Sequence, residues 1–152
     1  MKILVANGVN LDLLGRREPN IYGNSTLAQI ETEVEEYFKQ ISKSHPSMNL
    51  RIHFFQSNDE AKFLEELSKD WSGIVINAGA WTHTSLAIAD RLTALAIPFV
   101  EVHISNIYSR EEFRHKSFLS NGAIGVISGF GKNSYFLGIR AIIDHLILQK
   151  KN

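Results

Sequence analysis

The chain predicts a parallel α/β sheet with helices on both faces. Three observations predict it. Short apolar runs fit buried strands: Ile3-Leu4-Val5-Ala6, Ile74-Val75-Ile76 and Pro98-Phe99-Val100. Stretches with helical periodicity separate them, and strand and helix alternate five times, which is the pattern of a parallel sheet with crossover helices. The 152 residues are enough for one domain with a real core. Five strands at this length suit the flavodoxin-like order 2-1-3-4-5.

The elements follow in order. Lys2 to Asn7 reads as a buried strand. The stretch from Asn7 to Tyr22 comes next, with Gly8, Gly15, Pro19 and Gly23 as punctuation. Loops of that length in a compact domain are usually functional, and Gly8 to Tyr22 reads as a lid. Thr26-Leu-Ala-Gln29 is a capping box, and Leu27, Ile30, Val34, Phe38 and Ile41 repeat at helical spacing to about Ser44. Leu50 to Gln56 is a second strand, with Ile52 and Phe54 on one face. Ser57-Asn-Asp-Glu60 reads as a second capping box, opening a helix whose stripe is Ala61, Leu64, Leu67 and Trp71. Gly73 to Asn77 is a third strand, and Asn77 to Ser85 is a polar turn into a helix ending near Leu95. Pro98 to His103 is a fourth strand, Ser109-Arg-Glu-Glu112 a third capping box opening a short helix, and Ala123 to Ser128 a fifth strand. The last helix runs from Asn133 to Lys150 with Tyr135, Ile139, Ile142, Ile143 and Leu146 inward. No internal repeat or linker interrupts residues 1–152, which read as one catalytic domain.

Composition excludes several functions. Sixteen basic and sixteen acidic residues leave no net charge, which argues against phosphate neutralisation on a nucleic acid. There are no cysteines, so disulfides and thiol catalysis are excluded. No apolar run is long enough to span a membrane, and the N-terminus lacks signal-peptide architecture, so a cytoplasmic location is expected. The six histidines lack metal-site spacing, so no metal is expected.

In a sheet of this order ligands bind beyond the carboxyl ends of the strands, at the switch point between strands 1 and 3. Three polar clusters fall there: Asn7 to Asn10, Asn77 to His83, and Glu101 to Ser105. Glu101 and His103 are two apart on a strand and point the same way. A carboxylate beside an imidazole fixes its tautomer and makes it a better acid, although a satisfied ion pair at a strand end has the same pattern. Arg17 and Tyr22 are a candidate base and its activator, because a guanidinium near a phenol favours the phenolate. Solvated arginines beside a packing tyrosine would look the same. His83 alone reads as a helix-start capping residue, Asn77 alone as a turn residue, Asp90 as a surface ion-pair partner, and Arg114 as an anion ligand or a solvated charge.

Nucleotide signatures are weak. Gly129-Phe-Gly131 is followed by Ser134 where a dinucleotide fingerprint wants a third glycine, and it comes after the last strand instead of the first. It reads as a turn for close strand–helix packing. A receiver domain would need acidic residues where Asn7 and Asn77 stand, and no Gly-x-Ser-x-Gly or Ser-His-Asp pattern is present.

Taken together, the motifs Asn7-Gly-Val-Asn-Leu11, Gly15-Arg-Arg-Glu-Pro19 with Tyr22-Gly23, Asn77-Ala-Gly79 with Thr82-His-Thr-Ser85, Glu101-Val-His-Ile-Ser-Asn106 and Arg110-Glu-Glu-Phe-Arg114 resemble those of the type II 3-dehydroquinate dehydratases. The resemblance covers essentially the whole chain. Val9 departs from the family's usual proline, which implies a less rigid turn, and Ala6 from a bulkier residue, often leucine. The resemblance implies that 3-dehydroquinate loses water to give 3-dehydroshikimate, in the shikimate or quinate pathway, without a cofactor. It implies that Tyr22 takes the proton alpha to the ketone, that Arg17 supports the phenolate, and that Asn10 helps stabilise the enolate oxygen. His103 would protonate the departing hydroxyl, assisted by Glu101. Asn77, Ile104 and Ser105 would hold the substrate carboxylate, and His83 and Arg114 the ring hydroxyls. It further implies trimers packed into a dodecamer, with Asp90 reaching a neighbouring subunit's site. A non-catalytic flavin or nucleotide module, or an enzyme of this fold acting on another small hydroxy-acid, is the alternative.

Overall fold

Five parallel strands form one sheet in the order β2-β1-β3-β4-β5. They are β1 (Lys2–Asn7), β2 (Arg51–Gln56), β3 (Gly73–Asn77), β4 (Phe99–His103) and β5 (Gly125–Ser128). Four α-helices lie within the described residues: α1 (Leu27–Ser44), α2 (Glu60–Leu67), α3 (Leu86–Leu95) and α4 (Asn133–Lys151). The computed structural model describes residues 1–16, 21 and 23–151, with the backbone alone at Lys151. Arg17 and Tyr22, the expected activator and base, lie outside the described residues.

The strand alternation sorts side chains into two cores. Ile3, Val5, Val75, Val100 and Val102 point to one face, where α1 and α4 cover them with Ile30, Val34, Phe38, Ile139, Ile142 and Ile143. Leu4, Ala6, Ile74, Ile76 and Phe99 point to the other, against Phe63 and Leu67 of α2 and Ile88 and Leu92 of α3. Glu101 and His103 share the register of Phe99 and face the α3 side. Burial of the large aliphatic side chains contributes about 1.5–3 kcal/mol each. Among the described residues no helix is long and apolar enough to cross a membrane.

Several boundaries differ from the sequence expectation, each for a local reason. The Thr26–Gln29 capping box forms in both directions. The cap of α2 is Asp59 instead of Ser57: the Asp59 carboxylate accepts from the Ala61 and Lys62 amides, while the Ser57 hydroxyl accepts from the Asp59 amide. The helix therefore starts later and ends at Leu67, so its buried face is Phe63, Glu66 and Leu67. Trp71 lies beyond it and donates its indole N–H to the Glu66 carbonyl at 2.8 Å. Ser109 opens no helix. It closes the 3-10 turn Ile107–Ser109 and donates to the Asn106 carbonyl, and the next turn is only Glu112–Arg114. The chain before β5 enters the sheet at Gly125, two residues later than the apolar run suggests.

The first part of the expected lid is anchored. Leu11–Leu13 forms a 3-10 turn, and Leu11 and Leu14 are buried in the core under α1. The ends of β1 and β3 cross closely here. A Cβ on Gly8 would collide with the Ala78 backbone, and one on Gly79, at φ +60°, would stand 2.6 Å from the Val9 carbonyl oxygen. The crossing brings Asn10 and Asn77 to one rim.

Candidate active site

A crevice opens beyond the carboxyl ends of β1, β3 and β4, with about 720 Å³ of empty space open on one side to solvent. Its apolar wall is Val9, Leu11, Leu14 and Ile107, and Gly79, Ala80 and Ile104 add backbone to it. Its polar groups are Asn10, Asn77, His83, His103, Ser105, Arg110 and Arg114. This mix of apolar wall and a few converging polar groups is that of a small-molecule site.

The structure thus gathers seven of the expected site residues in one place: Asn10, Asn77, His83, His103, Ile104, Ser105 and Arg114. Glu101 lies directly behind them. Asp90 does not join them; it is exposed on α3 and absent from the crevice of its own chain. Arg110, the first residue of the Arg110–Arg114 motif, lines the crevice as well, a position that the motif alone does not indicate. Leu11 and Leu14, within the expected lid, are buried and belong to the apolar wall of the crevice.

His103 and Glu101 form the centre. Glu101 has no solvent exposure, and its Oε1 accepts from His103 Nε2 at 2.7 Å. An ionised carboxylate accepts only, so Nε2 carries the hydrogen and Nδ1 is the nitrogen left for the crevice. Burial alone would push the Glu101 carboxyl up. The hydrogen bond and charge of His103, with the hydroxyls of Thr82 and Ser117, outweigh it and hold the group below its ordinary value.

His83 stacks beside this pair, its ring 6.4 Å from that of His103 and inclined by 15°. Its Nδ1 donates to the Lys116 carbonyl at 2.7 Å, since a carbonyl can only accept. Burial lowers its pKa; the Lys116 bond opposes this, while the charges of His103 and Arg114 add to it. A neutral His83 leaves Nε2 free to accept a hydrogen bond from a hydroxyl.

The asparagines are held from below. Tyr135 of α4, completely buried, donates to Asn7 Oδ1 at 2.7 Å and accepts from Asn77 Nδ2 at 2.9 Å. Asn77 Oδ1 accepts from the Gly79 amide at 3.2 Å, so one Nδ2 hydrogen remains to face the crevice. Burial pushes the Tyr135 phenol far above its ordinary value, so it is a fixed neutral donor and no base. Asn10 sits in the left-handed region at φ 66°. Its amide donates to Asn58 Oδ1 at 2.8 Å, and that bond fixes the turn where Val9 stands.

The loop after β4 is tied from two sides. Gly129 and Gly131 donate their amides to the carbonyls of His103 and Ile104 at 3.2 and 3.0 Å. Ser134 and Ser128 donate hydroxyls to the carbonyls of His103 and Ser105 at 2.8 and 3.0 Å. The Gly129–Gly131 turn is therefore a brace for the site. Arg110 reaches Ser105 Oγ at 3.5 Å and Glu111 at 3.3 Å, and Arg114 pairs with Glu111 at 2.9 Å. Two guanidinium groups and two imidazoles on one wall suit an anionic, hydroxylated ligand.

Known proteins resemble the chain in sequence and in fold. A family model described as dehydroquinase class II matches residues 1–143. A 3-dehydroquinate dehydratase of Prochlorococcus marinus (strain MIT 9215) is 52% identical over 149 residues, covering 96% of this chain and 97% of that protein. One from Clostridium botulinum (strain Okra / Type B1) is 47% identical over 151 residues, covering 97% and 98%. The crystal structure of the type II dehydroquinase from Propionibacterium acnes matches with a TM-score of 0.86 at 39% identity, over 94% of this chain and 96% of that one. On a match of this length, in both sequence and fold, the chain belongs to the class II dehydroquinases.

Proposed function

We propose that the chain is a hydro-lyase that converts 3-dehydroquinate to 3-dehydroshikimate in the shikimate pathway, through an enolate. The family match supports the overall reaction. The observation that carries the mechanistic reading is the buried Glu101–His103 pair, 2.7 Å apart, with His103 on the wall of the crevice and Glu101 behind it. In this reading Tyr22 removes the proton alpha to the ketone as phenolate, and Arg17 stabilises that charge. Asn10 stabilises the enolate oxygen. His103, protonated at Nδ1, gives its proton to the departing hydroxyl, which leaves as water, and Glu101 balances the imidazolium. Asn77, Ser105 and the backbone at Ile104 hold the carboxylate, and His83 and Arg114 hold the ring hydroxyls.

The wider assembly belongs to the same proposal: a cytoplasmic dodecamer built from trimers. Exposed Val126, Phe130 and Leu137 lie on or beside the edge strand β5 and suit contact with another copy. Exposed Asp90 is available to a neighbouring subunit's crevice.

Spectrophotometric conversion of 3-dehydroquinate by the purified protein tests the reaction. Among the described residues no lysine lines the crevice. Borohydride added with substrate is therefore expected to leave activity intact. Trapping of substrate on a lysine would contradict the enolate route, and flavin absorbance without turnover would favour the binding-module alternative.

A further inference from the structure

The carboxylate of Glu101 meets more donors than a histidine partner requires. Thr82 Oγ1 donates to Glu101 Oε1 at 2.5 Å, and Ser117 Oγ lies 2.8 Å from Oε1 and 3.0 Å from Oε2. Ser117 Oγ is also approached by the amides of Leu119 and Ser120 at 3.0 and 3.1 Å. A hydroxyl has two lone pairs and one hydrogen. The two amides occupy the lone pairs, so the Ser117 hydrogen is committed to an acceptor. With Thr82 Oγ1, 3.1 Å away, donating its own hydrogen to Glu101, the acceptor that keeps every group satisfied is the carboxylate. The same segment is strapped to the turn after β3, since Phe118 donates its amide to the Thr82 carbonyl at 2.8 Å and Lys116 accepts from His83.

We propose that Thr82 and Ser117 are positioning residues for the acid: their hydroxyls hold the buried Glu101 carboxylate ionised and aimed at His103 Nε2, so that Nδ1 of His103 is the nitrogen presented to the crevice. Neither residue touches the crevice. Both act through Glu101, and the inference rests on the reading of His103 as the acid. A carboxylate with no exposure that loses a donor takes up a proton more readily. Once protonated it no longer balances an imidazolium, and His103 gives up its proton at lower pH. Among the described residues, the other charged groups facing His103 are His83 from the turn after β3 and Arg110 and Arg114 from the loop after β4. All three disfavour a second positive charge when protonated, and Glu101 favours it.

The test combines Thr82→Val, which keeps the shape and removes the hydroxyl, with Thr82→Ser, which restores it, and Ser117→Ala as an independent variant. The turnover rate is expected to fall about ten- to a hundred-fold in Thr82→Val, the size of one lost hydrogen bond to a charge. KM should change little, the alkaline limb of the pH–rate profile should move to lower pH, and Thr82→Ser should recover most of both. Nitrogen-15 NMR of the His103 ring provides a readout that needs no turnover. The wild type should show the Nε2–H tautomer, and the midpoint of the His103 titration should fall in Thr82→Val and Ser117→Ala and return in Thr82→Ser. An unchanged His103 tautomer and titration in both hydroxyl-free variants would overturn the proposal. If the wild type shows the expected NMR behaviour but does not turn over 3-dehydroquinate, the functional reading fails and the positioning claim stands.

Discussion

A carboxylate cut off from solvent is among the costliest groups a fold can hold, and Glu101 keeps its charge because His103, Thr82 and Ser117 surround it. The consequence for stability has a definite sign. Its folded pKa is depressed below the ordinary value of 4.5, so the stabilisation is present above that value and is lost as pH falls through the folded value. Urea unfolding of Glu101→Gln should show a deficit against the wild type that is largest near neutrality and shrinks in acid; a deficit independent of pH would contradict this. The Glu101–His103 pair was legible in the sequence because positions two apart on a strand face the same side. Ser117 was not, since it reaches Glu101 from a loop with no periodicity. Nor was the lowered pKa of His83, which depends on burial and on the nearby charges of His103 and Arg114. Arg17 and Tyr22 form a motif in the sequence, and variants test the roles proposed for them. Tyr22→Phe should abolish turnover while ligand affinity largely persists. Arg17→Ala should lower the rate heavily and Arg16→Ala much less. Equal losses for the two arginines, measured as turnover against pH, would show that the segment needs positive charge without a specific pair.

At the scale of elements, the site depends on how closely β1 and β3 end against each other. Gly8 and Gly79 allow the Asn7–Asn10 and Asn77–His83 segments to touch. Gly8→Ala would push a methyl group into the Ala78 backbone, and overpacking of this kind costs roughly 1–3 kcal/mol. Denaturant unfolding of Gly8→Ala should show that loss together with reduced turnover. A variant as stable and active as the wild type would contradict the crossing. Strand identities and the faces of α1 and α4 could be read directly, because long apolar stripes and continuous buried runs leave few alternatives. Short elements could not. Ser57 and Ser109 stand at the right spacing for capping boxes, but Asp59 captures the α2 amides first and the chain after Ser109 makes only a 3-10 turn. The inward position of Glu66 was hidden for a related reason: Lys69, at 2.7 Å, holds one oxygen of a carboxylate that the helix turns under itself.

The whole molecule is a crevice built where the sheet order reverses, an order expected from strand–helix alternation together with five strands at this chain length. What alternation could not specify is the assembly, because surface contacts leave no period in a sequence. Light scattering at assay concentration should find a dodecamer, and a monomer would contradict the proposed role of Asp90 in a neighbouring site. The central claim is that His103, held by Glu101, is the acid of a 3-dehydroquinate dehydratase. Its most direct test follows His103→Ala with 3-dehydroquinate in deuterated buffer, recording proton exchange at the alpha carbon and water loss in one NMR experiment. The account predicts that exchange continues while water loss falls about a hundred- to ten-thousand-fold. Water loss at a rate near that of the wild type would contradict it.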